Sequence, residues 1–143
     1  MPKLFLTFLI LSSITVAAES QCPQLQGTFH CRSAAPFDLE IKESLVDGVK
    51  TYVLTDPTGT RTVTADGQVH EMKFREGAKG QYRAHCEGNA LILEAQSPAG
   101  EVLVDRYYIE RAGLVRVRIN QTKQAASSLS CAPTQGTWRL YQR

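Results

Sequence analysis

The chain has 143 residues, with 16 Lys and Arg against 14 Asp and Glu, a formal charge of +2 and only 21% charged positions. That balance excludes nucleic-acid binding by bulk charge. With 43% apolar residues, ten Gly and six Pro, the composition suits one globular domain and excludes a fibrous or low-complexity chain.

The beginning of the chain reads as an export signal. Lys3 precedes an apolar run from Leu4 to Val16, and the small pair Ala17-Ala18 follows. Such a run falls short of the ~20 residues that cross a bilayer as a helix. Residues 1–18 are therefore expected to be a signal peptide, and 19–143 a single β-barrel domain of a secreted or periplasmic protein. Glu19-Ser20-Gln21 ahead of Cys22 do not make a bacterial lipoprotein signal, so no stable membrane anchor is expected.

All four cysteines, Cys22, Cys31, Cys86 and Cys131, follow that segment, and an even count behind an export signal reads as two disulfides. The repeated pairs His30-Cys31 and His85-Cys86 raise the alternative of a metal site. Adjacent residues on a strand point to opposite faces, so neither pair readily offers both side chains to one ion. No metal and no other cofactor is expected.

Along the rest of the chain the pattern is period-2 alternation broken by turn residues. Phe37-Asp38-Leu39-Glu40-Ile41-Lys42 alternates apolar and charged residues, as a strand with one buried face does. Asp47-Gly48, Asp66-Gly67 and Gly88-Asn89 are two-residue hairpin signals, and Asp56-Pro57-Thr58-Gly59 is a four-residue turn. They imply strands at about 25–31, 37–46, 49–55, 60–65, 68–75, 81–87, 90–97, 101–111, 114–121 and 136–142. Residues 122–130 lack a strand pattern and read as a short helix or a loose connector. The fold class is all-β: an antiparallel up-and-down meander closing as a barrel of about 8–10 strands, with a β-sandwich as the alternative.

Apolar residues should face apolar ones across each hairpin. A Gly88-Asn89 loop pairs Cys86 with Leu91, Ala84 with Leu93 and Tyr82 with Ala95. Further on, a two-residue loop sets Ile109 against Arg116, whereas a three-residue loop Arg111-Ala112-Gly113 sets Ile109 against Val115 and Tyr107 against Val117. The second arrangement puts Gly113 where such a loop wants a left-handed residue.

Cys22-Pro23-Gln24-Leu25-Gln26-Gly27-Thr28-Phe29 is echoed by Cys131-Ala132-Pro133-Thr134-Gln135-Gly136-Thr137-Trp138. The echo suggests that the first and last strands play equivalent parts and meet to close a barrel. Gly27-Thr28-Phe29 at the start of the first strand, the long meander and a late linker before a last strand together resemble the lipocalin or calycin group of barrels. The resemblance implies binding of a small hydrophobic or amphipathic molecule, or inhibition of a secreted hydrolase. It also implies a basic residue over Phe29, for which Arg139 and Arg143 are the candidates.

Cys22 and Cys31 lie nine residues apart on one extended segment, about 30 Å, too far for a disulfide. Counting strand ends favours Cys22–Cys86 with Cys31–Cys131. The rival is Cys22–Cys131 with Cys31–Cys86, which the echo of Cys spacing supports.

Carrying the registers around gives an inner face that includes Phe29, Leu39, Ile41, Tyr52, Val63, Met72, Phe74, Leu91, Leu93, Leu103, Ile109, Val115, Val117, Ile119 and Trp138. It also turns polar groups inward, Arg61 opposite Met72, His70 opposite Val63, and Asp105 between Leu103 and Tyr107. Buried charge needs a partner, water or a ligand. Arg61, His70, Tyr82, Asp105 and Tyr107 are thus the candidate ligand contacts. The alternative is that Val102 and Val104 face inward and Asp105 and Arg106 are solvated. Outside, the three-residue loop aligns Arg106 with Arg118 and Tyr108 with Arg116. Arg and Tyr are favoured interface residues, so this stripe is the candidate docking surface for a secreted or envelope protein.

No nucleophile elbow, phosphate loop or zinc-protease motif is present, and none of the three His is expected to have a carboxylate beside it that would orient it as a base. The expected function is a non-enzymatic binding protein for a small hydrophobic or amphipathic ligand. The alternative is an interaction protein, such as an inhibitor of a secreted hydrolase.

Overall fold

The protein is described by a computed structural model covering residues 22–74 and 77–134. Ten strands run through the described residues: β1 (Gly27–Cys31), β2 (Phe37–Val46), β3 (Val49–Asp56), β4 (Gly59–Thr64), β5 (Val69–Lys73), β6 (Lys79–Glu87), β7 (Ala90–Gln96), β8 (Val102–Glu110), β9 (Gly113–Asn120) and β10 (Ala125–Pro133). All pairings are antiparallel, and the sheet order is β4-β3-β2-β1-β10-β9-β8-β7-β6-β5. The meander thus wraps into a barrel that β1 and β10 close, with its two free edges, β4 and β5, facing each other.

The alternation seen in the sequence sets this geometry. On β2, Leu39 and Ile41 are buried while Asp38 and Lys42 are exposed. Asp47 (φ 51°) and Gly48 (φ 77°) form the two-residue turn into β3, the twist that flanking strands favour. The Gly88-Asn89 hairpin has the expected register, with Ala84 opposite Leu93 and Tyr82 opposite Ala95. Asp56 pairs with Gly59 around Pro57-Thr58.

Three expectations are corrected. Residues 122–130 are neither helix nor loose connector, because β10 pairs along β9 from Ala125 opposite Asn120 to Cys131 opposite Leu114. Its Ala-Ala-Ser-Ser start is exposed on both faces, so no alternation marks it, and only Leu129 and Cys131 are buried. The closing strand is therefore this one, while the proposed strand at 136–142, with Trp138, Arg139 and Arg143, lies outside the described residues. Second, Asp66-Gly67 does not join paired strands. Its Gly67 amide donates to the Ala84 carbonyl (2.8 Å), and β4 and β5 share no ladder, so Arg61 and Val63 have no cross-strand partners on β5.

Third, the β8–β9 loop has two residues, not three. Arg111 (φ 51°) and Ala112 (φ 64°) are both left-handed, and Glu110 pairs with Gly113, Tyr107 with Arg116 and Asp105 with Arg118. Gly113 serves space instead of conformation, since a Cβ there would lie 3.0 Å from the Cys131 carbonyl oxygen. The slip turns every β9 side chain over. Leu114 is fully buried and Ile119 is 45% exposed, so Val115, Val117 and Ile119 leave the inner face and Arg116 and Arg118 enter it.

The disulfides are Cys22–Cys86 (Cα–Cα 5.1 Å) and Cys31–Cys131 (4.0 Å), the pairing that strand counting favours. Cys31 faces Cys131 directly across the β1–β10 seam. The other bridge fastens a plug. Residues 22–26 cross the end of the barrel where β1 starts, and Leu25 is buried there. The Tyr52 hydroxyl donates to the Pro23 carbonyl (2.6 Å), and Glu43 accepts the Leu25 and Gln26 amides while pairing with Lys50 at 3.0 Å. Above the plug the barrel is filled: Tyr52, Ile41, Val63, Leu91, Leu114 and Tyr107 are each at most 1% exposed.

Candidate functional site

At the opposite end no segment of the described residues crosses the barrel. There the β3–β4, β5–β6 and β7–β8 turns surround a cavity of about 590 Å³. Met72, Phe74, Leu103 and Pro98 supply its apolar wall, and Arg61, Arg116 and Arg118 its charge. Phe74 is held over Gly80, where a Cβ would meet its ring at 2.3 Å.

The register brings the charges together. Asp105, only 4% exposed, accepts two hydrogen bonds from Arg118, at 2.7 Å from Nε and 2.8 Å from Nη2. This planar two-bond pairing is the strong form of a carboxylate–guanidinium contact. The carboxylate holds Arg118 charged more firmly than usual, against the opposing effect of burial. Arg61 pairs with Asp56 at 3.4 Å. Between them Tyr107 is almost wholly enclosed, its hydroxyl 3.5 Å from Asp105. Burial and then Asp105 push its phenol up, although Arg61, Arg116 and Arg118 all pull the other way.

Arg116 is the odd member. Its Nε is buried with no hydrogen-bond partner among the described residues, and it makes no ion pair there, as Arg61 and Arg118 do. A buried donor left unmade costs about 1–3 kcal/mol, more for a charged group. With Lys73 at the rim, positive side chains outnumber negative ones among the described residues that line the mouth.

Of the five expected ligand contacts, Arg61 lines this mouth, while Asp105 and Tyr107 are buried beside it, opposite Arg118 and Arg116. Asp105 is inward as expected, and its partner is Arg118. His70 and Tyr82 are placed differently, at the cleft between β4 and β5. There His70 Nε2 lies 2.9 Å from both Asp66 carboxylate oxygens and stacks on Tyr82 at 5.1 Å, while the Tyr82 hydroxyl accepts the Thr64 amide (3.1 Å). This clasp spans the part of the barrel that lacks a ladder. The expectation that no His has a carboxylate beside it is corrected here, since the fold also sets His30 against Asp38 and His85 against Glu87. Hydrogen bonds from the Gln68 amide and His70 hold the Asp66 carboxyl below the usual range. A smaller cleft of about 280 Å³, lined by Arg61, Met72 and Tyr82, adjoins the mouth.

The expected outer stripe is divided. Arg106 and Tyr108 stay outside, opposite Val117 and Val115, while Arg116 and Arg118 are inside. The outer face of β7–β9 therefore carries Ile92, Val104, Val115 and Val117 around Arg106, more apolar than basic. Sequence reasoning assigned the two β9 arginines to the wrong face. The available signal was charge: a two-residue Arg111-Ala112 loop sets Asp105 against Arg118.

At the plugged end a hollow of about 950 Å³ is lined by Gln24, Gln26, Phe29, Glu43, Ile109 and Pro133, among others. Glu43, the sole charged group lining it among the described residues, is already bonded to two amides and Lys50. No three His, Cys, Asp or Glu side chains gather among the described residues to hold a metal.

No protein-family model and no curated protein matches the chain. Solved structures do. Fatty-acid-binding protein 1 of Echinococcus granulosus superposes with a TM-score of 0.61 at 9% identity, over 78% of this chain and 98% of that one. The fatty-acid-binding protein of Manduca sexta gives 0.56 at 14%, over 67% and 73%, and lipid binding protein 8 of Caenorhabditis elegans 0.59 at 8%, over 76% and 94%. At these identities the likeness is one of fold. Two of these neighbours are named fatty-acid-binding proteins and the third a lipid binding protein; none of the three is named a lipocalin.

Proposed function

We propose that the protein is a non-enzymatic, secreted or periplasmic carrier of a small amphipathic anion. The observation that carries this reading is Arg116, a guanidinium inside the barrel mouth with a buried Nε that nothing among the described residues pairs. A carboxylate is the complementary group, because its two oxygens match the guanidinium fork. Met72, Phe74 and Leu103 offer an apolar wall to the rest of such a ligand. The neighbours named for fatty-acid binding share the fold, which supports the reading by analogy alone.

Native mass spectrometry of protein purified from its own compartment tests it. The reading expects a small-molecule adduct that denaturation removes and that Arg116→Gln weakens about 10–100-fold, the worth of a hydrogen bond to a charged group. Adduct-free protein that also ignores added carboxylates contradicts it. A second reading, a docking protein such as a hydrolase inhibitor, is favoured by the outer face, where Ile92, Val104, Val115 and Val117 surround Arg106 and Tyr108. It expects Val117→Lys to abolish partner binding while leaving the mouth's ligand bound.

A further inference from the structure

Resting on that reading, we infer that the mouth selects ligands by length, taking an anion with a short apolar tail and giving no further grip beyond about eight carbons. The floor sets the limit. Tyr107 and Leu91, which face each other across β8 and β7, are at most 1% exposed, so no water-sized space touches them and no channel passes them toward the plug among the described residues. The inward residues that line the cavity on β8 and β9 are Leu103, Arg118 and Arg116. The closed level begins at Tyr107, which faces Arg116.

From Leu103 at the rim to Tyr107 at the floor is four residues, about 13 Å along a strand at ~3.3 Å each. Strands in barrels tilt by about 35–45°, which leaves roughly 10 Å of depth. Arg116, whose Nε has no partner among the described residues, sits opposite Tyr107 at the bottom of that depth, so the carboxylate goes down and the tail points out past Met72, Leu103 and Phe74. With C–C bonds of about 1.5 Å, an extended zigzag advances about 1.25 Å per carbon, and some eight carbons reach the rim. Any longer tail leaves the protein and gains nothing from it.

The test is a calorimetric series of straight-chain carboxylates from butanoate to hexadecanoate, below their micelle-forming concentrations, with the matching n-alkanols in parallel. Burial of each methylene is expected to tighten binding about fourfold up to about eight carbons, after which affinity levels off. A break in both series that is tighter for the carboxylates supports the length limit and the anionic reading. A break in both without preference for the acids supports the limit and overturns the anionic reading. A continued rise to hexadecanoate overturns the limit, because the core must then open. Absence of binding by every acid and alcohol overturns both. Leu91→Ala removes part of the floor and is expected to move the break to longer chains; if that variant does not fold, Leu91→Val makes the smaller test.

Discussion

The two ends of the barrel are built from the same ten strands and solve opposite problems. At the plugged end, Leu25, Tyr52, Ile41 and Leu114 fill the interior, and polar groups such as Glu43 and the Tyr52 hydroxyl are engaged by the crossing segment 22–26. At the mouth, three arginines and two aspartates converge among the described residues, and one of these arginines has no partner among them. Well-packed apolar interiors stabilise, whereas buried ion pairs seldom gain over an apolar replacement. The charged end is thus a poor way to hold a barrel together, and on the proposed reading support falls to one end and anion binding to the other.

The largest effect should come from breaking the mouth's own pairing. Asp105→Ala strands Arg118 beside Tyr107 and is expected to cost about 3–5 kcal/mol, read as a lower denaturation midpoint at unchanged m. Next, Leu114→Ala at the filled end should cost about 2–5 kcal/mol and leave ligand affinity alone, a separation that equilibrium unfolding and a binding titration on one sample would check. Arg116→Met sharpens the contrast from the other side. It should leave stability unchanged or raise it by about 1 kcal/mol while ligand binding falls.

The smallest effect is acid sensitivity. Burial pushes the Asp56 carboxyl up, but the Thr58 bonds and Arg61 outweigh it and the net shift is downward. A carboxyl lowered on folding adds stability above its unfolded pKa, and that stability is lost as pH falls through the folded value. Asp56→Asn should therefore lower stability slightly at neutral pH and flatten the acid limb of a pH–stability curve.

Much of this architecture was legible in the sequence. Nine of the ten strands, the Asp47-Gly48 and Gly88-Asn89 hairpins, and the disulfide pairing follow from alternation, turn chemistry and strand ends. What escaped notice has physical reasons. A two-residue turn with both residues left-handed is normally announced by Asn or Gly, but Arg111-Ala112 fills it here. Gly113 then looked like the turn residue when its role is to let β9 approach Cys131. One residue of slip reversed Arg116 and Arg118, so the sequence turned Arg61 and Asp105 inward without the two cations that lie beside them. Ala125 to Ser128 escaped notice because both of their faces meet solvent and no alternation is needed.

The most direct test of the division between the ends is an amide chemical-shift titration of the oxidised protein with octanoate. The account predicts saturable shifts clustered at Arg61, Phe74, Leu103 and Arg116, with Leu25, Tyr52 and Leu114 unmoved, and their loss in Arg116→Gln. Shifts centred on the plugged end, or a response that Arg116→Gln leaves intact, would contradict it.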